Sequence, residues 1–299
     1  MRHLHLVFIV GLLSVPVETY AAPKRPEVSG LAFVRFSVTN IEQSRKFYED
    51  SLKLPKGSSW CFRSDAVCYL LSPRQRLEIL PATNNSKALD AIGFWVSDVR
   101  QMQSYLSARG VKSEEIVSNS AAEECIEVRD PENHRILFLS HKGGIAGSLS
   151  PSPISNRVIH AGFVVHDRRA EDRFYKDILG FHVYWYGGRK DDETSWVDMQ
   201  VPDGTDWIEY MLNVPASADH HTLGVMNHVA LGVPDIHAAE AQLRKNGWSG
   251  NEQPKIGRDG KWQLNLYDPD DTRIELMEFT PTEKPCCSEY SGPHPGQRP

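Results

Sequence analysis

Four ionisable side chains stand inside apolar, strand-like segments in the second half of this 299-residue chain: His160, Glu209, His228 and Glu275. Burying an imidazole or an ionised carboxylate among apolar side chains is costly unless the group is paired or bound to a metal. Taken singly, a histidine in a strand is most often a packed, hydrogen-bonded residue, and a strand glutamate most often faces solvent. Together, two imidazoles and two carboxylates form a donor set for one divalent metal ion.

The alternation of side chains along a strand predicts which neighbours accompany these donors. His160 shares a strand face with Gly162, Glu209 shares one with Trp207, and Glu275 shares one with Arg273 and Met277. A metal site needs donors that reach one concave face from different strands. We therefore expect the strands that carry the four donors to lie side by side.

A repeat supplies the elements that must position these donors. Four segments share a short apolar strand, then an Asp or Asn, then an amphipathic helix, and each helix is followed by three strand-like stretches. The strand and helix pairs are 31–38 with 41–52, 92–96 with 98–109, 158–165 with 167–179, and 228–233 with 235–246. Phe47–Leu52 of the first segment matches Phe174–Leu179 of the third. The sequence thus predicts an α+β fold of four βαβββ modules arranged in two pairs.

The domain boundaries follow from these modules. Residues 29–142 form an N-terminal two-module domain, and residues 156–280 form a C-terminal two-module domain that carries the four donors. Residues 143–155, rich in Gly, Ser and Pro, form the linker between them. Residues 281–299 are rich in Pro and Gly, and we expect this tail to be disordered.

The N-terminus predicts export. A basic start, the apolar run Leu6–Val15 and the small-residue exit Thr19–Ala21 are typical of a secretory signal peptide, here residues 1–21. Ten apolar residues rise only about 15 Å as a helix, about half a bilayer core, so a membrane anchor is disfavoured. We expect a secreted or periplasmic protein, in which Cys61 and Cys68 can form a disulfide across a hairpin or remain packed thiols.

Composition and charge restrict the partners. The chain has 33 Lys+Arg and 39 Asp+Glu, a net charge of −6, and no cluster of cations. Phosphate binding needs such a cluster, so we predict no nucleic-acid partner, and we expect no membrane association after signal cleavage. The remaining partner is a small-molecule substrate. Four modules can form both domains within one chain, so a monomer and a homodimer both stay open.

A chain of four such modules resembles the vicinal oxygen chelate superfamily, which includes glyoxalase I, extradiol dioxygenases, methylmalonyl-CoA epimerase and the fosfomycin and bleomycin resistance proteins. The resemblance covers about residues 29–280. It implies that each pair of modules wraps eight strands into an open cup around one metal ion. In glyoxalase I the ligands come from the matching strands in the order His, Glu, His, Glu, with a Gln replacing the first His in some members. Extradiol dioxygenases use the first His, the second His and the last Glu, which would exclude Glu209 as a ligand.

The first domain lacks most of these donors. The positions that match the four donors, in chain order, are Phe33, Glu78, Ala91 and Leu137. Of these, only Glu78 has a metal-binding side chain, so this cup cannot hold a metal in the same way. We predict a degenerate first domain with a structural role, a feature in which the chain also resembles extradiol dioxygenases.

The role of the metal distinguishes the candidate reactions. Two His and two Glu around Zn, Ni, Co or Mn leave two positions for vicinal oxygens of a substrate, and Glu275 or Glu209 then acts as the catalytic base of a glyoxalase-like lyase or isomerase. Two His and one Glu leave three positions, which suits Fe(II), a catecholate and O₂ in a ring-cleaving dioxygenase. Because Glu209 is present, the lyase or isomerase with one divalent metal ion per chain is the main prediction.

Details of the motifs argue against the best-known members of both enzyme classes. Glyoxalase I proteins share an Arg four residues after the first ligand, where this chain has Val164, although Asn213 matches a glutathione-contacting Asn. The extradiol pattern contains a His upstream of its closing Tyr, and Lys261–Tyr267 contains none. The prediction is therefore an exported metal enzyme with an unidentified oxygen-chelating substrate. The alternatives are an extradiol-type dioxygenase and a metal-free binding protein.

Overall fold

The computed structural model describes residues 23–57, 63, 65–83, 87–118, 123–141 and 152–297. The predicted signal peptide, most of the predicted linker and Cys61 lie outside these residues, so the predictions for them stay predictions. Cys68 itself is buried. Within the described part of the chain, no helix combines the length and the apolar character needed to cross a membrane.

The first domain is an eight-stranded sheet with two helices. Its strands are β1 (Val28–Val38), β2 (Lys56–Gly57), β3 (Val67–Ser72), β4 (Gln75–Pro81), β5 (Leu89–Val96), β6 (Val117–Ser118), β7 (Glu123–Arg129) and β8 (Arg135–His141). Helix α1 (Ile41–Lys46) continues as a π-helical turn over Phe47–Ser51, and helix α2 (Val99–Ser107) follows β5. The order across the sheet is β2-β3-β4-β1-β5-β8-β7-β6.

The second domain repeats this sheet. Its strands are β9 (Val158–Val164), β10 (His182–Gly187), β11 (Trp196–Gln200), β12 (Trp207–Met211), β13 (His228–Val233), β14 (Lys255–Ile256), β15 (Trp262–Tyr267) and β16 (Arg273–Glu278). Helix α3 (Arg168–Asp172) continues as a π-helical turn over Arg173–Ile178, and α5 (Ile236–Lys245) follows β13. The order β10-β11-β12-β9-β13-β16-β15-β14 matches that of the first sheet strand for strand. Two eight-stranded cups of paired βαβββ modules confirm the predicted fold class.

In three of the four modules, the acidic residue that follows the first strand begins the helix as predicted. Asp98, Asp167 and Asp235 each accept a hydrogen bond from the backbone N–H three residues further on. Such a side chain satisfies one of the donors that the first turn of a helix leaves unpaired. A further short helix, α4 (His220–Met226), begins after Asp219, whose side chain accepts a hydrogen bond from Thr222 N.

Two equivalent contacts join the domains. The Tyr175 hydroxyl, after α3 of the second domain, donates to Asp130 in the β7–β8 turn of the first domain at 3.1 Å. In the reverse direction, the Tyr48 hydroxyl donates to Asp268 in the β15–β16 turn at 2.9 Å. All four residues are buried. Each domain therefore inserts one turn against the helix of the other, which holds the two cups in a fixed relation.

The prediction of a disordered tail is wrong for Pro281–Gln297, which we call the C-terminal segment. It has no helix or strand, but it is tied to the edge of the second sheet near β10. Ser291 N donates to Tyr184 O at 3.0 Å, and the Trp185 indole N–H donates to Cys286 O at 3.1 Å. The Tyr290 hydroxyl donates to Asp259 O at 2.8 Å. Proline and glycine prevent regular structure here, but hydrogen bonds to another part of the chain order the backbone.

Candidate metal centre

The strands that carry the four predicted donors are the four consecutive central strands of the second sheet, β12, β9, β13 and β16. Gly162 on β9 is paired on one side with Glu209 and on the other side with His228. Ala230 on β13 is paired in the same way with the other two donors, His160 and Glu275. Because paired residues point to the same face of a sheet, all four donor side chains emerge on the inner face of the cup.

The donor atoms converge on one small volume. The two Nε2 atoms of His160 and His228 are 3.0 Å apart. Glu275 Oε2 lies 3.6 Å from both of them, and Glu209 Oε2 lies 3.0 Å from His228 Nε2 and 3.8 Å from His160 Nε2. With metal–ligand bonds of about 2.1 Å, neighbouring ligands of an octahedral ion lie about 3.0 Å apart and opposite ligands about 4.2 Å apart. The separations of each carboxylate from the two imidazoles fall in this range. His160, Glu209 and His228 also offer ligand atoms that all lie within 4.8 Å of one another, so these donors fit one divalent ion.

The orientation of the two imidazoles also suits metal binding. His228 Nδ1 lies 3.1 Å from the Met226 carbonyl, which can only accept, so Nδ1 carries the proton and Nε2 keeps its lone pair. The ring of His160 is buried, and its Nδ1 has no hydrogen-bond partner among the described residues. Burial, followed by the nearby charge of Arg273, holds the pKa of His228 well below its ordinary value. A neutral imidazole whose Nε2 carries the lone pair is the form that binds a metal. In this structure the Nε2 lone pair of His228 accepts from Arg273 Nη2 at 2.7 Å, so a metal ion would take the place of this hydrogen bond.

The two carboxylates differ in their affinity for a proton. Burial opposes the ionisation of Glu275, but the charge of Arg273 and a hydrogen bond with His160 lower its pKa to about 2. For Glu209, burial is the larger effect and raises the pKa, which the charges of His160 and Arg273 only partly offset. Pairs of carboxyl groups whose environments move their pKa values apart mark the acid–base partners of a site. Glu275 is therefore suited to be a permanent anionic ligand, and Glu209 is suited to take up a proton.

A cavity of about 240 Å³ opens onto the donors. Its wall combines aromatic rings, amides and charged groups, and among the lining residues are Trp185, Trp196, Asp198, Gln263 and Asn265. Of the aromatic residues in this domain, Trp207 and Tyr184 are buried beneath the site. An indole wall next to a polar centre is typical of a pocket for a small, flat, polar molecule.

Sequence reasoning missed one component of the site. Arg273 was placed on the face of Glu275, but no role was assigned to it. Its Nη2 lies 2.7 Å from His228 Nε2 and 3.9 Å from Glu209 Oε2, and its Nη1 lies 3.8 Å from Glu275 Oε2. Strand alternation was the signal that could have identified it, because residues two apart on one strand reach the same pocket.

The first cup shows what fills this place when the metal donors are absent. Strand pairing puts Phe33, Ala91 and Leu137 at the positions that match three of the donors, as the sequence predicted. The fourth, Glu78, is bound by Arg35, whose Nη2 lies 2.7 Å from Glu78 Oε2, and both side chains are fully buried. Arg35 is in the position that matches Gly162. A guanidinium thus neutralises the remaining carboxylate, and apolar side chains fill the rest of this cup.

A protein-family model, the Glyoxalase/Bleomycin resistance protein/Dioxygenase superfamily, matches residues 157–276. No curated protein sequence matches the chain.

Among solved structures, the chain resembles homoprotocatechuate 2,3-dioxygenase from Arthrobacter globiformis, with a TM-score of 0.66, 20% identity, and coverage of 86% of this chain and 82% of that one. The H200Q variant of the Brevibacterium fuscum enzyme gives a TM-score of 0.65, 20% identity, and coverage of 93% and 77%. Its anaerobic complex with 3,4-dihydroxyphenylacetate gives a TM-score of 0.60, 21% identity, and coverage of 88% and 83%. At this identity, the likeness shows a common fold. Residues 157–276 of the second domain thus match the model of the Glyoxalase/Bleomycin resistance protein/Dioxygenase superfamily, and the chain as a whole has the two-domain vicinal oxygen chelate fold.

Proposed function

We propose that this protein is a metal-dependent enzyme that binds a small substrate through neighbouring oxygens, and that its reaction is an extradiol-type ring cleavage. The observation that carries the proposal is the convergence of His160, His228 and Glu275 on one point of the inner face. Two imidazoles and one carboxylate are the ligand set of mononuclear Fe(II) oxygenases, which keep positions open for substrate and O₂. The similar solved structures are dioxygenases, and they match the chain across both domains.

The residues around the ligands have separable roles in this proposal. A divalent metal bound there would hold two substrate oxygens and favour their ionised form. Glu275, with a pKa near 2, keeps its charge throughout. Glu209 takes the proton from a substrate hydroxyl, because its raised pKa makes it the better proton acceptor of the two carboxylates. Trp185 and Trp196 face the cavity and offer flat surfaces to an aromatic ring.

A glyoxalase-like lyase or isomerase is the second candidate, and one observation favours it. Glu209 Oε2 is 3.0 Å from His228 Nε2, close enough to be a fourth ligand of the same ion. Four protein ligands leave two positions on an octahedral ion, which suits proton transfer on a chelated substrate and leaves no third position for O₂.

Metal content is the first test. The protein is purified without oxygen and without chelator, and its metals are measured by mass spectrometry. About one iron per chain together with O₂ uptake on catechols supports ring cleavage. One Zn, Ni, Co or Mn without O₂ uptake supports the lyase or isomerase. A chain that takes up none of these ions overturns both and leaves a metal-free binding protein.

The Glu209→Gln variant separates the two enzymes. If Glu209 is only a base, the variant keeps its metal and loses most of its turnover. If Glu209 is a ligand, metal affinity falls with turnover. Glu193→Gln is the matched control, because this half-exposed carboxylate lies outside the cavity lining and forms an ion pair with Lys190.

We also infer that the protein is exported, on the support of the signal-like residues 1–21. Expression with the complete N-terminus followed by N-terminal sequencing of the product tests this. A product that begins at residue 22 and is recovered outside the cytoplasm agrees with export, whereas an uncleaved cytoplasmic product contradicts it. A monomer and a homodimer both remain compatible with this proposal.

A further inference from the structure

The two domains carry equivalent arginines at the mouths of their cups. Arg135 and Arg273 each begin the last strand of their sheet, two residues before the position of the last metal donor. In the first domain, the guanidinium of Arg135 donates hydrogen bonds to two carboxylates, those of Asp90 and Glu127. Its Nη1 lies 2.9 and 3.0 Å from the two oxygens of Asp90, and its Nε and Nη2 lie 3.0 and 2.6 Å from those of Glu127.

In the second domain, both of these carboxylates are replaced by amides. Asp90 directly precedes Ala91, and the residue that precedes the matching His228 is Asn227. Glu127 pairs with Leu137 across β7 and β8, and the residue that pairs with the matching Glu275 is Asn265. The carboxamide of Asn227 is occupied elsewhere, because it accepts from Val164 N and donates to Leu223 O.

Arg273 consequently lacks a dedicated anionic partner. Within the described part of the chain its buried Nε has no hydrogen-bond partner, and neither has the buried Oδ1 of Asn265, which lines the same cavity. Its anionic neighbours are Glu209 and Glu275, at 3.9 and 3.8 Å, and both are assigned to the metal centre. A guanidinium in this environment favours an incoming carboxylate, which can accept two parallel hydrogen bonds from its planar fork.

The charges near the chelating positions also favour an anionic ligand. Two ionised carboxylates balance a divalent ion, so Arg273 leaves one positive charge beside the chelating positions. Deeper in the cup, Lys261 offsets Asp259. The positive charge of Arg273 therefore stands beside the chelating positions, and this favours an anionic substrate.

We propose that Arg273 binds an anionic group of the substrate, and that the substrate is an organic acid whose carboxylate lies next to its chelating oxygens. Adjacency follows from distance, because the Arg273 guanidinium nitrogens lie 3.9 and 3.8 Å from the candidate ligand oxygens of Glu209 and Glu275. The proposal rests on the metal-dependent function proposed above, and it holds for both candidate reactions. In this proposal, a carboxylate of the substrate binds Arg273 as the carboxylates of Asp90 and Glu127 bind Arg135 in the first cup.

Calorimetric binding to the Zn(II)-loaded protein under anaerobic conditions tests the proposal without turnover. The probes are catechol and 2,3-dihydroxybenzoate, which differ by one carboxylate next to the chelating oxygens. Because hydrogen bonds to a charged group contribute about 1.5–3 kcal/mol, we expect the acid to bind about 10- to 100-fold more tightly than catechol. The 3,4-dihydroxybenzoate isomer, with its carboxylate farther away, should show a smaller gain.

Two variants should remove this preference by different routes. Arg273→Met deletes the cation, and Asn265→Asp installs beside it a carboxylate like the one that Arg135 contacts. In both, catechol and the acid should bind with affinities within about 3-fold of each other. Arg168→Met, at the start of α3 and outside the cavity lining, should behave as the wild type. Zinc content and thermal stability are measured for every variant.

The outcomes separate the two proposals. If both probes bind but the carboxylate gives no gain in the wild type, or if both variants keep the gain, the role of Arg273 is overturned and the metal function stands. If the protein holds no zinc, the metal function fails and the inference fails with it. If it holds zinc but neither probe binds, the inference is overturned and the metal function stands.

Discussion

Gly162 and His228 lie opposite each other on β9 and β13, and the imidazole of His228 occupies the space that a side chain on residue 162 would need. A Cβ on Gly162 would lie 1.9 Å from Cε1 of His228. The ring can lie over β9 and approach Glu209 on the next strand only because residue 162 has no side chain. The glycine is thus as necessary to the metal centre as the donors themselves.

Substitution of this glycine should disrupt the centre without removing any ligand. In Gly162→Ala the new methyl group must displace the His228 ring, so we expect metal affinity to fall at least about 10-fold, as it does when ligand orientation is lost. Competition with a chromogenic chelator measures this. Gly93→Ala is the matched control in the first cup, where the methyl group would meet Phe33. It should lower stability and leave metal affinity unchanged. Equal metal affinity in Gly162→Ala and the wild type would contradict the assignment of His228.

The buried ion pair of the first cup should stabilise the fold without affecting the metal. Glu78→Gln leaves the fully buried Arg35 without its closest carboxylate, and we expect the free energy of unfolding to fall by about 3 kcal/mol. Urea unfolding with the metal removed measures the change. Glu42→Gln breaks an exposed ion pair with Arg45 and should cost less than about 1 kcal/mol. If both variants unfold at the same urea concentration, Arg35 does not depend on Glu78.

The C-terminal segment should protect aromatic side chains of the second cup. A chain that ends at Thr280 loses the contacts of Tyr184 and Trp185 with residues 281–297, so we expect a lower melting temperature and tryptophan emission at longer wavelength. Fluorescence and calorimetry report the two effects. Glu289→Ala, a change at an exposed side chain of the same segment, serves as the control. Unchanged emission in the shortened chain would mean that the segment does not cover the cup.

Glu171 should make the protein less stable at alkaline pH. Burial, and then the nearby Asp130, raise the pKa of Glu171 from 4.5 to about 9. The folded state therefore binds this proton more tightly than the unfolded state, and the free energy of unfolding falls as the pH rises from about 4.5 to about 9. Glu171→Gln is neutral and keeps an oxygen for the hydrogen bond from Glu132 N.

Thermal melts at pH 4.5 and pH 8.5 measure this effect. The Glu171→Gln variant should match the wild type within a degree or so at the lower pH and exceed it by several degrees at the higher pH. Glu42→Gln, whose carboxylate is exposed, should show no such difference between the two pH values. A Glu171→Gln variant that gains nothing at pH 8.5 would show that Glu171 is ionised in the folded protein.

Much of the fold and of the donor set was predictable from local patterns. The repeated strand, acidic cap and helix are local signals, and they predicted four modules with helices beginning after Asp98, Asp167 and Asp235. Matching the modules also assigned the positions of all four donors and of their counterparts in the first cup. The modules were confirmed, and the assigned positions are equivalent in the two sheets, because each module repeats one chain path, so that equivalent positions in sequence become equivalent positions in space.

Other features depended on contacts between distant parts of the chain. Arg35 and Arg273 are both strand arginines in the sequence. Their different roles arise from the strands beside them, where Arg35 meets Glu78 and Arg273 meets His228. The composition of the C-terminal segment predicted its lack of helix and strand, but not the backbone groups near β10 that bind it.

By itself, the sequence determined the modules, their order and the side chains available to bind a metal, because hydrophobic periodicity and capping act within a few residues. Only the tertiary structure decided how the donors meet, with Gly162 making room for His228 and with Glu209 and Glu275 held at different proton affinities. Strand register, burial and the field of Arg273 control those properties, and each depends on residues that are far apart in the chain and close together in space.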